Sequence, residues 1–230
     1  MINSRKVHKY LRWQLDTILN AQRQHWDNSF CNNGDMFGAA ASAPAQWAAV
    51  RLQQEGKSQL LELGAGQGRD TLFFAANGFV VNVLDYSSSG LAAIQAKAEH
   101  SGLASRINLT CHDVRQPLPL ADNSVDACFS HMLFCMALTT AELQQLSREV
   151  LRVLRPGGLH IYTVRHTGDA DYGKGIHRGD DMYENNGFIV HFFSRDKVAL
   201  LAQGYQAAAV EEFTEGRLPR RLFRVTQRKA

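Results

Sequence analysis

The chain is 230 residues long, 45% hydrophobic, and carries a formal charge of +3 at neutral pH. That length suits one α/β domain, and so small a net charge speaks against a nucleic-acid partner. No apolar run approaches the roughly 20 residues that span a bilayer, and Met1 to Tyr10 is polar and basic with no signal-peptide core, so neither a membrane anchor nor export is expected.

In chain order, Val7, Leu11, Leu15, Ile18 and Leu19 recur at helical spacing and predict an amphipathic helix over about 4–23. His25 to Gly38 follows, mixing Trp26, Phe30, Met36 and Phe37 with turn residues. Pro44 suits the first turn of a helix that reaches Glu55, with Gly56 beyond it. From Gln59 onward strands and helices alternate. Strands are expected at Gln59–Leu63, Phe79–Asp85, Ile107–His112, Val125–Ser130 and Leu159–Val164. Between them fall helices at Arg69–Asn77, about 90–100, and one opened by the capping-box pair Thr139 and Glu142 and stopped by Arg155-Pro156-Gly157-Gly158. Thr167 to Asn186 has no clear period and is long for a plain connection. A helix near 194–203 precedes two strands, near 207–213 and 222–226, whose short connection holds Gly216 and Pro219 and predicts a hairpin. The expected fold is therefore α/β: a seven-stranded, mostly parallel doubly wound sheet with helices on both faces and an antiparallel last strand.

The four cysteines, Cys31, Cys111, Cys128 and Cys135, form no CxxC pair. Cys111 and Cys128 fall in strands, where buried free thiols are expected, which reads as a cytoplasmic protein. Arginines crowd the C-terminus from Arg217 to Arg228, interleaved with apolar residues, as on the solvated face of a strand. His177, Asp180 and Glu184 match no metal-ligand signature, so no metal is expected.

The chemistry concentrates at Glu62-Leu63-Gly64-Ala65-Gly66-Gln67-Gly68. A strand that ends in alternate glycines exposes backbone N–H groups and a helix start to a closely approaching polar ligand. Asp85, at the end of the next strand, stands where such folds bind a ribose. A dinucleotide fingerprint would place its third glycine at the sixth position, which here is Arg69, and no Tyr-x-x-x-Lys pair exists to support an NAD-dependent oxidoreductase.

These residues resemble the class I S-adenosylmethionine-dependent methyltransferases. The glycine turn is similar to that family's first motif, Leu84-Asp85-Tyr86-Ser87 to its ribose-binding strand end, and Asp113-Val114 to its adenine contact. Val125 to His131 resembles the fourth-strand motif, and Leu154 to Gly158 the turn before the fifth strand. Gly66 to Asp70 is also similar to the small-molecule branch that includes tellurite-resistance and thiopurine methyltransferases. The resemblance implies a single domain over 1–230, with N-terminal helices and a lid at 1–57, a cofactor core at 58–165, a substrate-side insertion at 166–193, and a helix and hairpin at 194–230. It implies S-adenosyl-L-methionine as cofactor, held by Phe37, Glu62, Gly64, Gly66, Gly68, Asp85, Tyr86, Asp113, Val114 and Ser130. The acceptor pocket would lie beyond strands four and five, where His131 or His166 could act as a base on an N, O or S nucleophile of a small molecule. The absence of an Asp/Asn-Pro-Pro-Tyr/Phe motif after the fourth strand argues against base amino groups as acceptors. RNA or protein methylation, and a non-catalytic cofactor-binding regulator, remain the alternatives.

Overall fold

The computed structural model describes residues 4–216 and 220–230, with side chains from Thr17 onward (Ala207 apart). Arg217, Leu218 and Pro219, and the side chains of Val7, Leu11 and Leu15, lie outside the described residues. Seven strands form one sheet: β1 (Gln59–Leu63), β2 (Val80–Asp85), β3 (Ile107–Cys111), β4 (Val125–His131), β5 (Leu154–Arg165), β9 (Tyr205–Glu215) and β10 (Arg220–Lys229). Their order is β3-β2-β1-β4-β5-β10-β9. The first five run parallel, and β10 enters antiparallel to both β5 and β9, as the hairpin expectation required.

Period-two alternation along the buried strands feeds two cores, one on each face. Leu60, Val81, Val83, Ala127, Phe129, Leu159 and Ile161 face helices α2 (Ala43–Gln54), α3 (Arg69–Ala76) and α4 (Ser88–His100). Leu61, Leu63, Leu84, Cys128, Tyr162, Val164 and Phe223 face α5 (Thr140–Val153) and α6 (Arg195–Leu201). The helix starts are those the sequence marks. Ser42 and Ser87 cap α2 and α4, and Thr139 and Glu142 form a complete capping box on α5. Three arginines of the C-terminal run face acids: Arg224 pairs with Glu211, Arg221 with Glu212 and Arg228 with Glu55.

Three local expectations are corrected. Helix α1 runs from Ser4 to Asn32, well past the expected end, because its later turns are held by tertiary contacts that outweigh turn propensity. Asp27 accepts from the Ser89 N–H at 3.0 Å and from the Ser87 hydroxyl at 2.7 Å, and Phe30 packs on Gly66. The stretch after Thr167 is not irregular throughout. It contains a separate antiparallel sheet, β6 (Ile176–Gly179), β7 (Met182–Asn185) and β8 (Phe188–His191). Its turns are Asp180-Asp181 and Asn186-Gly187, every residue of which has positive φ, the geometry of tight hairpin turns. Finally, Cys111 is exposed, as is Cys31, while Cys128 and Cys135 are buried; all four are free. No described helix is long and apolar enough to cross a membrane.

Candidate active site

Above the carboxyl ends of the parallel strands lies a cavity of about 600 Å³. It extends from residues after β1 and β2, across β4, to residues at the ends of β5, β9 and β10. That location follows from topology: helices cover both faces of a doubly wound sheet, so a ligand is left the crevice at the strand ends where the order reverses.

On the first side, β1 turns sharply through Gly64, Gly66 and Gly68, with φ of 73°, 56° and 83°. The Gly66 N–H donates to Asp85 Oδ2 at 2.8 Å, and the Ser87 N–H donates to Oδ1 at the same distance. Asp85 thus closes the glycine turn and starts the chain into α4. A Cβ on Gly66 would stand 3.2 Å from the Phe30 ring, and one on Gly68 would collide with Ile94 at 2.5 Å. Burial raises the Asp85 carboxyl above its usual range, opposed by the N–H groups of Ser87, Gly66 and Tyr86. Beneath the turn, Glu62 accepts from the Thr71 hydroxyl at 2.6 Å. Burial, with the charges of Asp70 and Asp85, pushes Glu62 up to about 8.

Of the residues singled out from the sequence, Phe37, Glu62, Gly64, Gly66, Gly68, Asp85, Tyr86, Val114 and His131 line the cavity. Three expected residues do not. Asp113 is engaged by Arg115, which folds back two residues to donate to both carboxylate oxygens, and it lines an adjoining small recess that shares Tyr86, Val114, Leu133 and Met136 with the cavity. Burial raises the Asp113 carboxyl, yet the Arg115 hydrogen bonds hold it below its usual range. Ser130 and His166 fail for one reason, strand alternation. His131 and Arg165 face the cavity, so their neighbours point away. Ser130 is fully buried, and its hydroxyl has no protein partner among the described residues. His166 stacks on Phe223 at 4.4 Å, with Nδ1 accepting from the Gly168 N–H, and burial followed by Arg221 lowers its pKa.

On the second side, His131 is held at both ring nitrogens. Nε2 lies 3.2 Å from Glu215 Oε2, and Nδ1 lies 2.9 Å from Thr163 Oγ1. That hydroxyl oxygen also accepts from the Met132 N–H at 3.1 Å. Arg165 donates to Asp169 and Asp171. Met132, Leu133, Met136, Phe188 and Val190 supply apolar wall. An aromatic cover crosses both sides: Trp26 stands 5.5 Å from Phe30, 6.4 Å from Phe37 and 4.8 Å from Phe188 between ring centroids.

Sequence reasoning missed His112, Glu215 and Arg220, whereas the lining residues of β7 and β8 fall in the expected substrate-side insertion. His112 was legible in principle, as the residue just after β3; Glu215 and Arg220 are brought in by the hairpin.

Residues 60–158 match the family model described as a methyltransferase domain. An uncharacterized methyltransferase of Mycobacterium ulcerans is 35% identical over 136 residues, 56% of this chain and 50% of that protein. The chain spans half or less of the length of the curated relatives it matches. Among solved structures, the Burkholderia thailandensis 1,6-didemethyltoxoflavin N1-methyltransferase aligns with a TM-score of 0.71 at 19% identity, covering 97% of this chain and 90% of that one. TehB from Haemophilus influenzae aligns with a TM-score of 0.62 at 14% identity, over 80% of this chain and 62% of that one. Residues 60–158 therefore match a methyltransferase domain, and the chain has the fold of solved S-adenosylmethionine-dependent methyltransferases.

Proposed function

We propose that this protein moves a methyl group from S-adenosylmethionine to an N, O or S nucleophile of a small molecule by in-line displacement. The observation that carries the reading is the single cavity joining the glycine turn and Asp85 to His131, Glu215 and Arg220. The residues present fit the cofactor. Each Asp85 oxygen accepts one backbone N–H and keeps a lone pair for a ribose hydroxyl. His112 Nε2 is buried with no partner among the described protein groups and lines the same wall, so it offers a hydrogen bond to a ligand there. The glycine turn admits a close backbone approach, with Glu62 beneath it. The neighbour with a TM-score of 0.71 is described with S-adenosylhomocysteine and a small heterocyclic acceptor bound, which supports both parts of the reading.

When bound, the cofactor supplies an already activated methyl group, so the protein's task is orientation and exclusion of water. Trp26, Phe30, Phe37 and Phe188 cover the cavity and keep water from the reacting centre. Leu133 and Met136 confine the acceptor between the strand ends and the inserted sheet. The His131–Glu215 pair, held by Thr163, faces the acceptor and takes up the nucleophile's proton where one is lost. Free cysteines and the absence of a membrane-crossing helix among the described residues fit a cytoplasmic location.

Calorimetric titration with S-adenosylmethionine, S-adenosylhomocysteine and NAD tests the reading. Micromolar binding of the first two, none of NAD, and labelled methyl transfer to at least one thiol, amine, phenol or chalcogen anion is the expected result. Binding of NAD alone would overturn it.

A further inference from the structure

Glu215 and Arg220 are directly opposite residues of the last hairpin, one closing β9 and the other opening β10. Opposite charges so placed have Cβ atoms about 5 Å apart and ordinarily attract one another. Here the carboxylate is diverted: Glu215 pairs with His131 at 3.2 Å, and Thr163 fixes that imidazole from behind. Arg220 is left without a hydrogen bond or ion pair to any described residue, yet its side chain lines the cavity. Its charge is felt by Glu215 and by Cys135 beneath the wall. The other arginines of the wall have carboxylate partners, although the buried Nε of Arg165 has no hydrogen-bond partner among the described residues. Arg165 holds Asp169 and Asp171, and Arg69 lies 3.8 Å from Asp70 with its guanidinium over the Phe37 ring.

We propose that Arg220 binds the carboxylate of the methyl acceptor, and that the acceptor is a small carboxylate-bearing molecule with an apolar body. The assignment rests on the methyl-transfer reading of the cavity. A guanidinium offers a planar fork of donors that a carboxylate meets with two parallel hydrogen bonds. The apolar body is matched by Met132, Leu133, Met136 and Val190, which line the cavity between the glycine turn and the inserted sheet. Glu215 refines the choice. A second carboxylate is repelled from its side of Arg220, whereas an N–H, O–H or S–H beside the acceptor's carboxylate finds a hydrogen-bond acceptor there. The same molecule is thus anchored by its anion and turned so that its nucleophile faces Glu215. With the cofactor bound, a lone pair of the nucleophile would take the methyl group as the sulfonium leaves as a neutral thioether, and the nucleophile's proton would pass to the His131–Glu215 pair.

The test uses the full chain, with and without S-adenosylhomocysteine, titrated with benzoate, benzamide, benzylamine and phenyl phosphate by ligand-observed NMR. Benzoate is expected to bind at least tenfold more tightly than benzamide or benzylamine. Arg220→Gln abolishes that preference, and Arg220→Lys keeps part of it. Arg220 is exposed, so both variants are expected to fold, which circular dichroism checks. Equal binding of benzoate and benzamide overturns the proposal, as does unchanged benzoate affinity in a folded Arg220→Gln protein. Tighter binding of phenyl phosphate than of benzoate overturns the carboxylate assignment in favour of a phosphate. S-adenosylhomocysteine affinity separates this failure from that of the parent reading. Protein that ignores S-adenosylhomocysteine sinks methyl transfer; protein that binds it but shows no benzoate preference sinks only the role of Arg220.

Discussion

Asp85→Asn changes one atom and tests two roles of one carboxylate. In the native chain its oxygens each accept a backbone N–H at 2.8 Å, from Gly66 and from Ser87. The asparagine amide has a single oxygen, so its NH₂ group must face one of those N–H groups. Leaving a buried donor unsatisfied costs about 1–3 kcal/mol. Burial raises the Asp85 carboxyl, so removing its charge relieves some desolvation and moves the net cost toward the lower part of that range. For a chain of this size each kcal/mol lowers Tm by about 2–4 °C, so a loss of about 2–6 °C is expected. The same change removes acceptors for the ribose hydroxyls and should weaken S-adenosylhomocysteine binding at least tenfold, about 1.4 kcal/mol. Thermal unfolding followed by circular dichroism reads the first effect, and calorimetry reads the second. A folded variant that binds S-adenosylhomocysteine as tightly as the parent would refute the ribose contact. An unchanged or higher Tm would refute the claim that Asp85 holds the glycine turn.

Two further perturbations probe the same region. The Glu62 carboxyl titrates at about 8 in the folded chain, against 4.5 for its ordinary value. Below about pH 4.5 both folded and unfolded chains hold this proton; above it the unfolded chain releases the proton first, so stability falls as pH rises to about 8. Glu62→Gln keeps an acceptor for Thr71 and removes the titration, so its Tm relative to the parent should rise steadily from about pH 5 to pH 8. A constant difference across that range would contradict the shifted carboxyl. Asp27→Ala removes the acceptor that receives the Ser89 N–H and the Ser87 and Ser89 hydroxyls. A loss of about 1 kcal/mol, seen as a Tm lower by about 2–4 °C, is expected, with faster tryptic cleavage at Arg23. Cleavage at the parent's rate would show that α1 is held by other contacts.

The parallel half of the fold was legible because its signals are local and mutually consistent. Apolar runs of strand length end at glycine or an acid, and capping residues such as Thr139 and Glu142 open the helices between them. The inserted sheet was not legible, since its three strands are four residues each and too short to show a period. Its turn residues were visible, but nothing local says that Asp180-Asp181 and Asn186-Gly187 bring three strands together. The site divides in the same way. The glycine turn and Asp85 lie 17 residues apart, counting from Gly68, and adjacent parallel strands place them together. Asp113 stands beside the cavity and not in it because an arginine two residues later occupies its carboxylate. His166 and Ser130 misled because a strand-end position alone does not fix which face a side chain takes. Glu215 and Arg220 reach the cavity only through the antiparallel hairpin, so no local pattern marks them.

The N-terminal helix touches both halves of the cavity. Asp27 and Phe30 grip the start of α4 and the glycine turn, while Gln22 donates to the Gly187 carbonyl at 2.8 Å and accepts from the Ile189 N–H at 3.2 Å. Two short stretches of one continuous helix thus serve as a lever between the donor compartment and the inserted sheet. A disturbance at either end of α1 is therefore transmitted to both walls of the cavity, the glycine turn and the inserted sheet.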